Sequence, residues 1–353
     1  MPAVKAANPR DIFAADDWTL ITSVSRWRGI WLIAHGWLVI ALVATAGAAA
    51  WDFHWLLGLA TAPFVISIIG GRQLGLAILM HDAAHGLLHR NRKLNNWLGE
   101  WPSGAAVGSD LQSYRSYHLT HHRYTQQAED PDLGLSAPFP TSRASLWRKL
   151  FRDLTGQTFY KQRKAQFRMA AKGVRAMLAG TPTQIDKRSA LAGTPFNKQP
   201  QSSNGLAPPP DAAGITVAKT VARFLGVQAI LLALSLLFWG WGPYLYWIIA
   251  LATTFQLFLR IRNIAEHACT TTGSNDPFSH ARTTYANCLE RATVAPYWVN
   301  FHSEHHLFMG VPCYHLPLAH AMLAKRGFHS SMTITGSYLE VMRLVTFKAT
   351  QPA

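Results

Sequence analysis

The sequence predicts an all-α integral membrane protein, with four transmembrane helices in two hairpins and a helical cap on the cytosolic side. Three observations predict it. First, 49% of the 353 residues are hydrophobic and only 14% are charged, against about 25% charged in an ordinary soluble domain. Second, the deficit is uneven: long uncharged stretches alternate with strongly basic ones. Third, the apolar stretches come in pairs, joined by the very short connectors "WDFH" (51–54) and "GWGP" (240–243).

The spans fall at about 29–50, 55–80, 220–240 and 243–262. Each is close to the ~20 residues a helix needs to cross ~30 Å of hydrocarbon. Neither connector holds Lys or Arg, whereas the region between the hairpins, 81–219, holds many, among them Arg90, Arg92, Lys93, Arg115, Arg123, Arg148 and Lys149. The positive-inside rule places that region, both termini and the C-terminal region 263–353 in the cytoplasm. The whole chain, 1–353, reads as a single domain in a bacterial inner membrane. Its start, "MPAVKAANPRDIFAADDW", is polar and has no apolar core of a signal peptide.

The formal net charge of +15 is explained by those positive loops. No zinc-finger spacing, RRM signature or recognition-helix pattern accompanies it, so no nucleic-acid partner is expected. Cys269, Cys288 and Cys313 are odd in number and form no CxxC, which argues against a disulfide framework or a cysteine metal site.

The second and fourth spans continue past the membrane as "GRQLGLAILMHDAAHGLLHR" and "LRIRNIAEHACT". Arg72, Arg260 and Arg262 stand where long cationic side chains can snorkel to the interface. At 1.5 Å per residue His81 lies ~13 Å beyond Arg72, and His267 ~10 Å beyond Arg260. Two long helices thus lift histidines to similar heights above the bilayer.

The region between the hairpins has parts of its own. Residues 94–113 mix Trp and Leu with Gly and Pro, and read as a short amphipathic or re-entrant piece. "YKQRKAQFRMAAKGVRAML" carries Tyr160, Phe167, Val174 and Met177 about one face apart, with Lys and Arg between. It reads as a basic helix on the membrane surface or a solvated basic helix. Residues 193–214, rich in Pro, Gly, Ser and Asn, read as a disordered insertion.

Histidine carries the chemistry. "HDAAH" gives His81 and His85, "HLTHH" gives His118, His121 and His122, "NIAEH" gives Asn263 and His267, and "HSEHH" gives His302, His305 and His306. On a helix, positions i and i+4 share a face. His-x-x-His-His therefore presents two imidazoles on one face and a third about 100° away, able to chelate one metal and reach a second. Imidazole suits iron, zinc, copper and nickel. Nine histidines and an asparagine exceed the needs of one four- to six-coordinate ion, so the count points to two metals. Asp82, Glu266 and Glu304, inside or beside the boxes, fit either of two roles: orienting imidazoles through the other ring N–H, or forming a solvated face. His35, His54, His280, His315, His320 and His329 read as ordinary core or surface residues, and His89, four residues after His85, as outside the cluster.

These boxes, their order and their places after the hairpins resemble the membrane fatty acid desaturases and their hydroxylase and ketolase relatives. The resemblance runs from the first span to about residue 325. "ARTTYANCLERATVAPYWVNFHSEHHLFMGVPCYHLP" is similar to bacterial members. The resemblance implies a four-helix stem and a cytosolic cap holding two iron ions, with O2 as co-substrate. It implies that His81, His85, His118, His121, His122, His267, His302, His305 and His306 are the catalytic iron ligands, with Asn263 reaching its iron through water. It implies a lipid or acyl substrate in the membrane.

Two departures narrow the subtype. The first box has three residues between its histidines where the stearoyl-CoA type has four. The third begins with His302 where front-end desaturases carry Gln. The sequence holds no His-Pro-Gly-Gly haem-binding segment, so electrons are expected from a separate ferredoxin or other carrier with its reductase. The expected reaction is desaturation of an alkyl chain. A hydroxylase or carotenoid ketolase using the same boxes is the nearest rival. A metal transporter is the distant one, since transport calls for polar ligands near mid-membrane.

Overall fold

The computed structural model describes residues 3–179 and 210–347. The protein is mostly helical, and four of its helices are long and apolar enough to cross a membrane. The first is α1 (Arg28–Phe53). The second, α2 (Trp55–His85), has 31 residues and at 1.5 Å per residue extends ~46 Å, well past a hydrocarbon core. Gly86 stops it. At φ 84° its left-handed backbone lets the Gly86 and Leu87 N–H groups bond back to Ala83 and Asp82, a C-terminal motif that favours glycine. His81 and His85 therefore sit in the last turns of a long helix whose second half is buried.

After α2 the chain dips back. Trp37 Nε1 in α1 donates to the Pro102 carbonyl (2.8 Å), and Ala106 is buried among the membrane helices with Ile40 and Ala44. Residues 94–113 thus pack against the membrane-length helices. The boxes of the cap begin on α3 (Leu111–Tyr124). Asp110 caps it, its Oδ1 accepting from Ser113 N at 2.8 Å, in the manner of an N-cap aspartate.

Helices α4 (Arg143–Leu154) and α5 (Gln157–Leu178) follow. In α5 the buried side is Arg163, Gln166, Ala170 and Gly173, while Tyr160, Phe167 and Met177 are exposed among Lys and Arg. The aromatic face thus points away from the protein, as an interfacial helix requires. The predicted insertion at 193–209 lies outside the described residues. Its last five positions, 210–214, instead open helix α6 (Pro210–Phe238).

The fourth apolar stretch is not one straight helix. It breaks at Thr253 (φ −120°, ψ −84°) into α7 (Gly242–Ala252) and α8 (Thr254–His267). The break seats Thr254 against α2: its Oγ1 donates to the Ile66 carbonyl at 2.8 Å, and a Cβ on Gly70 would lie 2.2 Å from that oxygen. Gln256 Nε2 donates to the Leu251 carbonyl freed by the break (3.3 Å). A backbone group left without a partner at membrane depth costs several kcal/mol, so the kink comes with its own satisfaction. Gln73, Trp247 and Gln228 add a buried polar chain: Gln73 Nε2 donates to the Trp247 carbonyl, Trp247 Nε1 to Gln228, and Gln228 Nε2 to the Ala106 carbonyl, at 2.8, 2.8 and 3.1 Å.

Arg72, Arg260 and Arg262 do not snorkel. Arg72 is buried and donates to the carbonyls of Arg291 and Ala292 (2.9 and 3.0 Å). Arg260 pairs with the buried Asp153 of α4, and Arg262 with Glu266 (2.5 Å). Pairing inside the cap desolvates them less than an apolar wall would and ties the cap to the stem. The last box lies on the short α9 (His302–Leu307). Beside it, Arg282–Thr284 pairs in parallel with Thr333–Thr335, and Thr141–Ser142 with Thr346–Phe347. These small two-stranded pairings are the departure from an all-α cap.

Gly71 has no room for a side chain, since a Cβ there would meet the Ala292 carbonyl oxygen at 2.1 Å. Gly71→Ala should therefore destabilise the protein by about 1–3 kcal/mol, the usual cost of overpacking. A thermal melt in detergent checks it, and an unchanged Tm would show that the 290–295 segment is free to move.

Candidate metal centre

The box spacing acts across the helices. On α3, His118 and His122 project together, and His121 projects to the side. On α9, His302 and His306 project together, and His305 to the side. The two helices meet so that each box contributes its pair to one group and its odd member to the other. His81, His85, His118, His122 and His305 form one group. His121, His267, His302 and His306 form the second. Within each, one ring nitrogen per residue lies within 4.8 Å of all the others. The groups adjoin, with the His122 and His306 rings 4.2 Å apart. All nine sequence-predicted histidines are thus brought together.

Ring nitrogens approach to hydrogen-bonding distance, which either a shared proton or a cation must compensate. His122 Nε2 lies 2.9 Å from His118 Nε2 and 3.0 Å from His305 Nε2. In the second group His302 Nε2 lies 2.9 Å from His267 Nε2 and 3.1 Å from His306 Nε2. The tautomers of this group follow from the opposite sides of the rings. His121 Nδ1 is 2.8 Å from Asp130 Oδ1, so it carries the proton. His267 Nδ1 is 3.0 Å from the His280 carbonyl oxygen, an acceptor only. His306 Nδ1 is 3.3 Å from Thr125 Oγ1, whose own proton goes to the His121 carbonyl (2.8 Å). His302 Nδ1 lies 3.3 Å from Glu266 Oε1, too poorly aligned for a hydrogen bond but close enough for the carboxylate to hold the proton there. The Nε2 atoms of His267, His302 and His306 therefore turn lone pairs toward one another.

Converging lone pairs call for a cation. Two imidazole nitrogens bound at ~2.1 Å to one ion and at a right angle would stand about 3 Å apart, the separation seen in both groups. The five-histidine group is less braced. Both ring nitrogens of His81, Nε2 of His85 and Nδ1 of His122 are buried without hydrogen bonds. These orphaned atoms fit the same requirement, because buried polar groups without partners are rare.

Electrostatics agree. Burial first, then repulsion from neighbouring rings, holds His118, His122, His305 and His306 well below the ordinary histidine value. At neutral pH these rings are uncharged, as metal ligands must be. His121 moves the other way. Burial lowers it, but the Asp130 carboxylate, the hydrogen bond to it and Asp132 outweigh burial and push it up to about 9. A carboxylate behind a ligating imidazole makes it a better donor.

Asp130 is the residue the sequence reading missed. Its Oδ2 also accepts from Gln126 N (2.8 Å), and Oδ1 from Asp132 N (2.8 Å), so it is locked before it touches His121. The signal was the acidic turn "EDPD" eight residues past the second box. Of the three carboxylates weighed from sequence, Glu266 faces His302, and Asp82 lies 3.4 Å from His81 Nδ1 while its Oδ2 accepts from Cys313 N. Glu304 does neither thing expected of it. It is fully buried, accepting from Thr283 Oγ1 (2.5 Å) and meeting His320 Nδ1 (2.5 Å). Asn263 lines the cavity beside His267 and His302, and its Oδ1 accepts from Arg262 Nη1 at 3.3 Å. His89 stands outside both groups, its Nδ1 accepting from Asn91 N. Asp130→Ala should lower metal affinity by roughly 10–100-fold, the usual cost of losing a group that orients a ligand, measured as metal retained against a competing chelator.

The comparisons agree with this geometry. The family model described as fatty acid desaturase matches residues 54–331, a range that holds all nine histidines. The dihydrorhizobitoxine desaturase of Bradyrhizobium elkanii is 26% identical over 77% of this chain and 69% of its own. The chloroplastic omega-3 fatty acid desaturase of Glycine max is 27% identical over 48% of this chain, but over only 32% of its own length. The zeaxanthin 4-ketolase of Chlamydomonas reinhardtii is 29% identical over 33% of this chain and 26% of its own. With two adjoining histidine groups on a stem of membrane-length helices, and a family match over most of its length, this chain belongs to the fatty acid desaturase family.

Proposed function

We propose that the chain is an O2-dependent desaturase of an alkyl chain, with two iron ions held by the two histidine groups. The observation that carries this is the pairing of two nitrogen-only ligand sets with a cavity walled on the α2 and α8 side by apolar residues. The cavity, about 80 Å3, lies between α2 (Ala77, Ile78, Met80) and α8 (Phe255, Leu259), with His81 in its wall. Neutral ligands leave the charge of the ions to be offset by carboxylates nearby. When bound, iron would supply the reductive activation of O2 that attack on an unactivated methylene requires.

The rest falls to the protein. The histidines hold neutral tautomers fixed by Asp130, Glu266, Thr125 and the His280 carbonyl. The apolar wall excludes water and lays the chain against the ligands, so that position, not intrinsic reactivity, selects one methylene among many. The balanced reaction takes –CH2–CH2–, O2, two electrons and two protons to –CH=CH– and two waters. The electrons come from a separate ferredoxin or similar carrier with its reductase. The basic loops favour a histidine side that faces the cytoplasm, with both termini. As one domain, stem and cap act together.

Two of the relatives named above are desaturases, which favours loss of two hydrogens. The ketolase favours the second reading, in which the same site inserts oxygen. Lipid profiles of bacteria expressing the wild-type chain or His305→Ala, with a working electron donor supplied, separate them. Products two hydrogens lighter and found only with the wild type support desaturation. Products heavier by one oxygen would replace it with hydroxylation, and products heavier by one oxygen less two hydrogens with ketolation.

A further inference from the structure

Two cavities adjoin the metal centre, and their common wall is mostly polar. The larger is the apolar-walled one described above. The smaller, about 30 Å3, reaches His118, His121, His267 and His302. Tyr114, Asp132, Arg262 and Asn263, with the apolar Leu135, line both. An alkyl group placed against the histidines therefore also lies against a guanidinium and a phenol.

Arg262 is over nine-tenths buried. Its Nε is held by Glu266 (2.5 Å) and its Nη1 by Asn263 (3.3 Å), but Nη2 makes no hydrogen bond among the described residues. The Tyr114 hydroxyl has none either, although its ring is fixed by stacking on His118 (centroids 5.2 Å, 12°). Both donors open onto the cavity, Tyr114 being only half-buried, so an occupant that displaces water from them must replace its hydrogen bonds. A purely hydrocarbon occupant would leave both unpaired, whereas an occupant with an oxygen acceptor would satisfy them. Arg262 is suited to a carboxylate, and its open terminal nitrogen offers charge-assisted hydrogen bonds.

Size adds the second constraint. Both cavities are smaller than the ~150 Å3 that accepts a benzene ring. Both are open on one side, so the space beside the histidines takes a few heavy atoms and the rest of a longer substrate extends out through the opening. The oxygen that Arg262 meets and the carbon that faces the histidines are therefore only a few bonds apart.

We infer that Arg262 and Tyr114 form a recognition site for a substrate carboxyl or carbonyl oxygen close to the reacting carbon, so that the substrate is a small or head-proximal oxygenated amphiphile rather than the middle of a long hydrocarbon. This rests on the desaturase reading and names its substrate class.

The test is a titration of full-length, Fe(II)-loaded protein in lipid nanodiscs with sodium hexanoate or 1-hexanol, followed by near-infrared magnetic circular dichroism of the iron. Hexanoate should shift the iron bands saturably, and hexanol should not. Arg262→Met should weaken the hexanoate response by at least about 10-fold, and Tyr114→Phe by about 5-fold, as expected for a charged and a neutral hydrogen bond. Arg262→Lys should recover part of the loss. Equal responses to hexanoate and hexanol overturn the inference, as does no response to hexanoate. A response unchanged in Arg262→Met also overturns it, because hexanoate would then be binding iron directly. If Arg262→Met loses its iron through the unpaired Glu266, Tyr114→Phe decides, and a wild-type titration by it has the same force. The product assay is separate: oxidised product without a hexanoate response sinks the recognition site alone, and a hexanoate response with no oxidised product from any substrate sinks the desaturase reading alone.

Discussion

His122→Ala and His305→Ala should give the same phenotype, although they lie 183 residues apart in different boxes. Each removes one nitrogen from the five-histidine group. His121→Ala and His306→Ala should form a second matched pair, from the four-histidine group. Within either box, neighbouring substitutions should differ in which ion is lost. Activity should fall in all four by more than about 100-fold, the upper end of what losing an orienting group costs. The decisive readout is the residual iron and its spectrum, because the remaining ion reports which ligand set survives. The double variant His122→Ala/His305→Ala should be little worse than either single one, since residues acting as a unit are not additive. If the spectra instead group by box, with His121→Ala resembling His122→Ala, the cross-box partition is wrong.

Much of this was legible in the sequence, for a physical reason. Metal ligands are chemically rare, and a helix turns i, i+4 into adjacency, so "HLTHH" and "HSEHH" declare a site before any fold is known. The four apolar stretches are legible for a similar reason: a hydrocarbon slab imposes length and composition together. Which histidine serves which group was not legible, because that depends on how α3 and α9 face each other. Asp130 escaped because its role comes from a turn that folds it back onto His121, and an acidic turn past a helix is otherwise unremarkable. Glu304 misled for the opposite reason. Its place inside a box suggested service to the box, but its helix turns it away, toward Thr283 and His320. The break at Thr253 was hidden inside a continuous apolar run. Only the approach of Gly70 explains it, and that approach is made between helices distant in sequence.

Stripping metal should lower the thermal stability of the protein well beyond any effect on the site alone. In the four-histidine group each Nδ1 proton is directed outward, so the Nε2 lone pairs face each other at 2.9 and 3.1 Å. Without a cation those pairs repel, and the elements that carry them, α3, α8 and α9, are pushed apart. A ligand that binds only the folded state adds about 4 kcal/mol when present at 1,000 times its dissociation constant, and two sites would each contribute. For a chain of 353 residues that corresponds to a drop in Tm of about 5 °C per site. The sign is fixed: a chelator lowers Tm, and Fe(II) added afterwards restores it, with no turnover needed. Asp130→Ala should shrink the drop, because it weakens one ligand in the loaded state and frees one ring in the empty state. A Tm indifferent to chelator would mean that shared protons already satisfy the nine imidazoles, and the two groups would then be a hydrogen-bonded core rather than a metal centre.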